Sequence, residues 1–75
     1  MAELRHVTAF IEREGDGYVA LCPELDVASQ GDTVGDARSN LLEALELFFE
    51  TASASEIEKR LGTEVYVTHL EVAVG

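Results

Sequence analysis

The residues of this chain that could do chemistry are few, and their spacing does not suit it. Cys22 is the single cysteine among 75 residues. It stands directly before Pro23 and Glu24, which offer neither a base nor the positive surroundings that make a thiol a nucleophile. Its expected role is that of a small, buried strand residue, and a chain with one cysteine forms no internal disulfide, as suits a reducing compartment. His6 and His69 lie near opposite ends of the sequence, without the close His/Cys spacing of a metal site, although terminal strands often pair and could bring them together. Gly15, Gly17, Gly31 and Gly35 are not arranged as a strand, a glycine-rich turn and a Lys-Ser/Thr pair, so they read as turn residues rather than a phosphate loop. With 15 acids in the chain, neighbouring carboxylates are inevitable, and a pair such as Asp16 with Asp32 does not by itself indicate acid–base or metal-dependent catalysis. The expectation is a protein without catalytic residues, metal or cofactor.

Charge points to a class of partner. The 15 acids outweigh 5 bases to give a net charge of −10, while 47% of residues are hydrophobic, a globular rather than a disordered balance. An acidic surface repels phosphate backbones and anionic lipid heads, and it attracts and steers a basic protein. A chain of this length forms one domain, 1–75, and buries only about 60% of the surface that unfolding would expose, so a homodimer or higher homo-oligomer is expected. No run of 18 apolar residues occurs, and the start Met1-Ala2-Glu3-Leu4 lacks a basic region followed by an apolar stretch. Both features imply a cytoplasmic protein without a membrane segment.

The element that must position everything else is a helix within residues 31–50. Thr33 is placed as its N-cap, with Asp36 three residues on as a short capping-box acid. At about 100° per residue, Val34, Ala37, Leu41, Ala44, Leu45, Phe48 and Ala52 form one apolar stripe, with Asp36, Asn40, Glu43 and Glu50 opposite. Leu47 projects from the polar side. Before the helix, residues 4–12 predict a strand with Val7, Ala9 and Ile11 on one face and His6, Thr8 and Phe10 on the other. Glu14-Gly15-Asp16-Gly17 predicts a tight hairpin turn, residues 18–22 a returning strand stopped by Pro23, and residues 27–30 a third short strand. After the helix, Ser55 with Glu58 predicts the cap of a short helix closed by a left-handed Gly62, and residues 63–74 predict a final strand with two partly apolar faces. The order is β-β-β-α-(short α)-β, an α+β fold with a mostly antiparallel sheet and one long helix packed on it.

Gly15-Asp16-Gly17-Tyr18-Val19-Ala20, then Cys22-Pro23-Glu24-Leu25, then Gln30-Gly31-Asp32-Thr33 and Ala37 together resemble the HicB antitoxin family. The resemblance covers roughly residues 4–50, and residues 70–74 also fit. It departs where Asp26-Val27 stands in place of a frequent Pro-Gly, and where Gly35-Asp36 stands in place of a pair of glutamates. What the resemblance implies is a HicB-like N-terminal domain, without the C-terminal DNA-binding domain of members that repress their own operon, with a partial ribonuclease-H-like fold. It also implies a function: an antitoxin-type module of a type II toxin-antitoxin system that neutralises HicA, a small basic RNA-cleaving toxin, by direct binding. Asp16, Glu24 and Asp32 are the candidate partner-binding residues, at hairpin and turn positions where carboxylates could stand in for phosphates. Two other readings remain open at this point, an orphan HicB-like domain with a structural or ligand-binding role, and a divergent metal-dependent nuclease.

The charge argument is directly testable. With no basic stripe, the isolated protein is expected not to bind mixed-sequence DNA or RNA duplexes at physiological salt in a fluorescence-anisotropy titration. Micromolar binding would overturn it.

Overall fold

The computed structural model describes residues 4–75; residues 1–3, on which the reading of the amino-terminal start partly rests, lie outside the described residues. Three strands, β1 (Phe10–Glu14), β2 (Gly17–Cys22) and β3 (Val27–Gly31), precede two helices, α1 (Val34–Thr51) and α2 (Ala54–Leu61). The strands form one antiparallel sheet in the order β1-β2-β3, and the whole is a small α+β domain.

The boundaries follow from pairing. Glu14 pairs with Gly17, leaving a two-residue turn of Gly15 and Asp16. Gly15 has φ 60, the left-handed value that a type II′ hairpin requires at its first central position. Pro23 ends β2, so Phe10, which faces Leu21, is the first residue of β1 with a partner. The first strand accordingly starts at Phe10 rather than at residue 4 and runs to Glu14: residues 4–8 extend past the end of β2, and Ala9, opposite its last residue Cys22, is not paired. Between β2 and β3 the chain turns through Asp26 at φ 54, a conformation that an aspartate tolerates better than most residues.

One face of the sheet is covered by α1. Ala20 and Cys22 from β2, Leu25 from the following turn, and Ala37, Leu41 and Leu45 from α1 form the buried core, with Val7, Ile11, Tyr18, Val27, Phe48, Phe49 and Leu61 packed around it. The helical stripe is thus buried at its centre, while Val34 at the start of α1 remains half exposed, and Leu47 points outward as expected. Thr33 caps α1, its Oγ1 accepting from the Asp36 amide at 3.0 Å. The second cap differs from expectation. Ser53, not Ser55, accepts from the Glu56 amide at 3.2 Å, because Ser53-Ala-Ser-Glu56 offers the same spacing two residues earlier and lets α2 begin immediately after α1 ends. Gly62 is right-handed, with φ −71, since its N–H continues the helical pattern by donating to the Glu58 carbonyl at 3.0 Å.

The expected final strand is a further correction. Residues 63–74 form no strand; a strand exists only against a partner edge, and the described chain brings none to this segment. Its apolar side chains stand in solvent, Tyr66 and Leu70 at 82% exposure and Val74 at 91%.

Where β3 meets α1 the backbones touch. A Cβ on Gly31 would lie 2.7 Å from the Asp36 carbonyl carbon and against the Ala37 nitrogen, and backbone atoms at a helix start cannot yield as a flexible side chain can. Gly31→Ala is therefore expected to destabilise the fold by about 1–3 kcal/mol, read as a lower urea midpoint. Gly35→Ala, where the nearest atom is 3.8 Å away, serves as the control that should not lose stability.

Candidate partner-binding site

The structure divides the three carboxylates named from sequence between opposite ends of the sheet. Asp16 sits in the β1–β2 turn. Asp32 sits at the β3–α1 junction, and the pairing of Tyr18 with Gly31 beside that of Glu14 with Gly17 brings these two at one end. Glu14, which sequence reasoning passed over, joins them. The two-residue register of the hairpin was the signal that could have found it, since such a turn leaves the residue before Gly15 at the same end of the sheet as Asp16. Between these loops lies an open cleft of about 400 Å³ bordered by Glu14, Tyr18, Gln30 and Asp32. Asp16 and Asp32 are exposed. Their carboxylates, and that of Glu14, engage no described side chain or backbone group in a hydrogen bond or ion pair. Arg13 lies near, but its guanidinium carbon sits 5.8 Å from the centre of the Tyr18 ring and its Nε donates weakly to the Gly15 carbonyl at 3.4 Å.

Glu24 does something else. It follows Pro23 at the far end of β2, and its carboxylate accepts from the Thr8 amide at 2.9 and 3.1 Å and from the Thr8 hydroxyl at 2.8 Å. The Cys22 thiol donates to it at 3.6 Å. Burial by itself would raise the Glu24 pKa; the hydrogen bonds from the Thr8 side chain, its own backbone and the Thr8 amide outweigh that and hold the carboxyl below its ordinary value of 4.5. This is a clasp that ties the segment before β1 to the β2–β3 turn. The Glu24 carboxylate is thus engaged within the fold, unlike those of Asp16 and Asp32.

Cys22 has the environment expected of a packing residue. It is fully buried. Burial pushes its thiol above the ordinary value of 9.0, the Leu25 backbone works against this, and the adjacent Glu24 carboxylate raises it further. A thiol held in its neutral form is a poor nucleophile. Among the described residues no three His, Cys, Asp or Glu side chains are grouped so as to hold a metal ion. No helix of the described residues is long and apolar enough to cross a membrane.

At the Glu24 end a second tether closes the domain. Arg60 of α2 donates to the Leu25 carbonyl, pairs with Glu56 at 3.2 Å and lies 5.4 Å from the centre of the Phe48 ring. The ion pair itself is partly exposed and contributes little; the bond to Leu25 is what fixes α2 against the turn.

Two cyanobacterial proteins are similar to this chain. UPF0150 protein ssr1765 of Synechocystis sp. is 43% identical over 54 residues, 69% of this chain and 68% of that protein. The chain belongs to the UPF0150 family. UPF0150 protein ssl0738 of the same organism is 46% identical over 46 residues, which is 59% of this chain and 64% of the relative, so the match spans just under two thirds of its length. No family model matches the UPF0150 chain, and no solved structure does.

The Glu24 clasp has a defined pH signature. Because the folded pKa lies below the unfolded one, the stabilisation is fully present above the unfolded value and is lost as pH falls through the folded value. Glu24→Gln is expected to cost about 1–2 kcal/mol at neutral pH, with the gap between variant and native protein closing below pH about 4.5 in urea melts across pH. A gap that stays constant with pH would refute the assignment.

Proposed function

We propose that this UPF0150 chain is an antitoxin-type binding module that neutralises a small, basic, HicA-like RNA-cleaving toxin in the cytoplasm by covering it. The observation that carries the reading is the end of the sheet where Glu14 and Asp32 border an open cleft and Asp16 stands in the adjoining turn, none of the three carboxylates having a partner among the described residues. A basic surface shaped to bind RNA phosphates meets there an array of anions on short, well-anchored turns. Such an array raises the association rate and sets specificity more than it adds raw affinity. The HicB resemblance supports the same reading, since Gly15-Asp16-Gly17 and Gly31-Asp32-Thr33 are two of the three motifs that carry it. On this reading the fold is the partial ribonuclease-H-like one.

The test is co-expression with a small basic protein encoded beside this chain, followed by pull-down and an RNA-cleavage assay. Complex formation and loss of cleavage are expected. Association should slow as salt rises. Asp16→Ala and Asp32→Ala should each weaken binding roughly threefold to tenfold while leaving the thermal midpoint unchanged, because neither carboxylate has a partner in the fold. A basic neighbour that neither co-purifies nor loses activity would sink the proposal.

A further inference from the structure

Residues 64–74 have the composition of a strand and pair with nothing. Tyr66, Thr68, Leu70, Val72 and Val74 fall on one face at period two, and four of these five are at least 75% exposed. The one hydrogen bond of the segment among the described residues is local, Tyr66 Oη donating to Glu64 Oε2 at 3.0 Å. The arm makes the molecule elongated. Its radius of gyration is 14.6 Å, against about 11 Å for a compact domain of this length.

The sheet carries a matching vacancy. Its two edges are β3 and β1. The β3 edge is partly occupied, because Asn40 Nδ2 donates to the Gln30 carbonyl at 2.7 Å and the start of α1 lies on Gly31. The outer edge of β1 is open: apart from the hairpin with β2, no backbone group of Phe10–Glu14 is bonded among the described residues. An open edge is a template for a further strand. Arg13 stands between Glu12 and Glu14 on β1 and Arg5 precedes the strand, while residues 64–74 hold Glu64 and Glu71 and no Lys or Arg.

We propose that residues 64–74 of one copy add as a strand to the open β1 edge of a second copy, and reciprocally, giving an arm-exchanged homodimer. The arm does not reach this edge within its own chain, but two copies each supply an arm and an edge, and the exchange closes after two. The exposed side chains of one arm present roughly 300–500 Å² of apolar surface. Two arms, with the surfaces they cover, bury on the order of 1,200–2,000 Å², the size of a specific and stable interface.

The experiment uses the full chain. Light scattering should give twice the 8.1 kDa chain mass, and hydrogen exchange should show protected amides between residues 66 and 72. Half-labelled mixtures should give intermolecular NOEs from the arm to β1. Adjacent amides of a strand point to opposite sides, so Val67→Pro and Thr68→Pro together guarantee that one removes a donor from the new ladder. That variant should dissociate at least tenfold more readily and keep the helical circular dichroism of the domain, which the arm does not build. An 8.1 kDa species with protected arm amides would mean that the arm folds back on its own chain, and would overturn the proposal. So would a dimer whose arm amides exchange freely, or one indifferent to both prolines.

Discussion

The contact on which this fold depends is the one between the end of β3 and the first turn of α1. Gly31 has no room for a Cβ, because the Asp36 and Ala37 backbone fills the space that it would need. That closeness is what lets a single helix cover the sheet. With α1 set down at Gly31, Thr33 in position to cap it and Asn40 bound to the Gln30 carbonyl, the next turns place Ala37, Leu41 and Leu45 over Ala20 and Cys22. Small residues at the contact, Ala20 on the strand and Ala37 on the helix, allow the layers to meet without voids. The core is small, as a domain of this length dictates, and its opposite end needs two polar tethers, Glu24 to Thr8 and Arg60 to Leu25.

These tethers distinguish the two ends of the sheet. At the Pro23 end the carboxylate is enclosed by donors and its charge serves the fold. At the hairpin end Glu14, Asp16 and Asp32 have no such donors. The turns there are fixed by Gly15, by the Gly31 contact, by the Thr33 cap and by the Asn40 bond to Gln30, none of which uses the three carboxylates. Composition alone, with its surplus of acids, does not distinguish these two situations.

How far the structure was legible in the sequence follows from the same physics. Periodicity located α1 and its buried face, Thr33 announced the cap, and Pro23 ended β2, because each of these is decided by residues close in sequence. The start of β1 was not legible, since it depends on where β2 stops on the other side of the hairpin. The Glu24 clasp was not legible either: it joins residues sixteen apart, and nothing local to Glu24 marks its partner. Ser53 and Ser55 both satisfy the capping pattern, and the end of α1 chooses between them. The final segment shows the limit most clearly. Val65 to Val74 has the alternation and β-branched content of a strand, yet propensity supplies no edge to pair with, and a strand without an edge is not a strand.

Polarity along the open face of the sheet is fixed by register. Phe10 faces Leu21 and Leu21 faces Ala28, an apolar row that crosses all three strands at the Pro23 end. Two residues along, Glu12 faces Val19 and Val19 faces Gln30, a row already mostly polar; the hairpin end beyond it is acidic. From Leu21 to Gly17 is about 13 Å at the rise of a strand, longer than the Debye length of about 8 Å at physiological salt. The hairpin-end carboxylates that would repel another acidic molecule are therefore screened from the apolar row, while Glu12, about 7 Å from it, lies nearer. A chain with a net charge of −10 can in this way keep one end of its sheet suited to apolar association while the other stays charged, and the strand register alone is sufficient to hold the two apart.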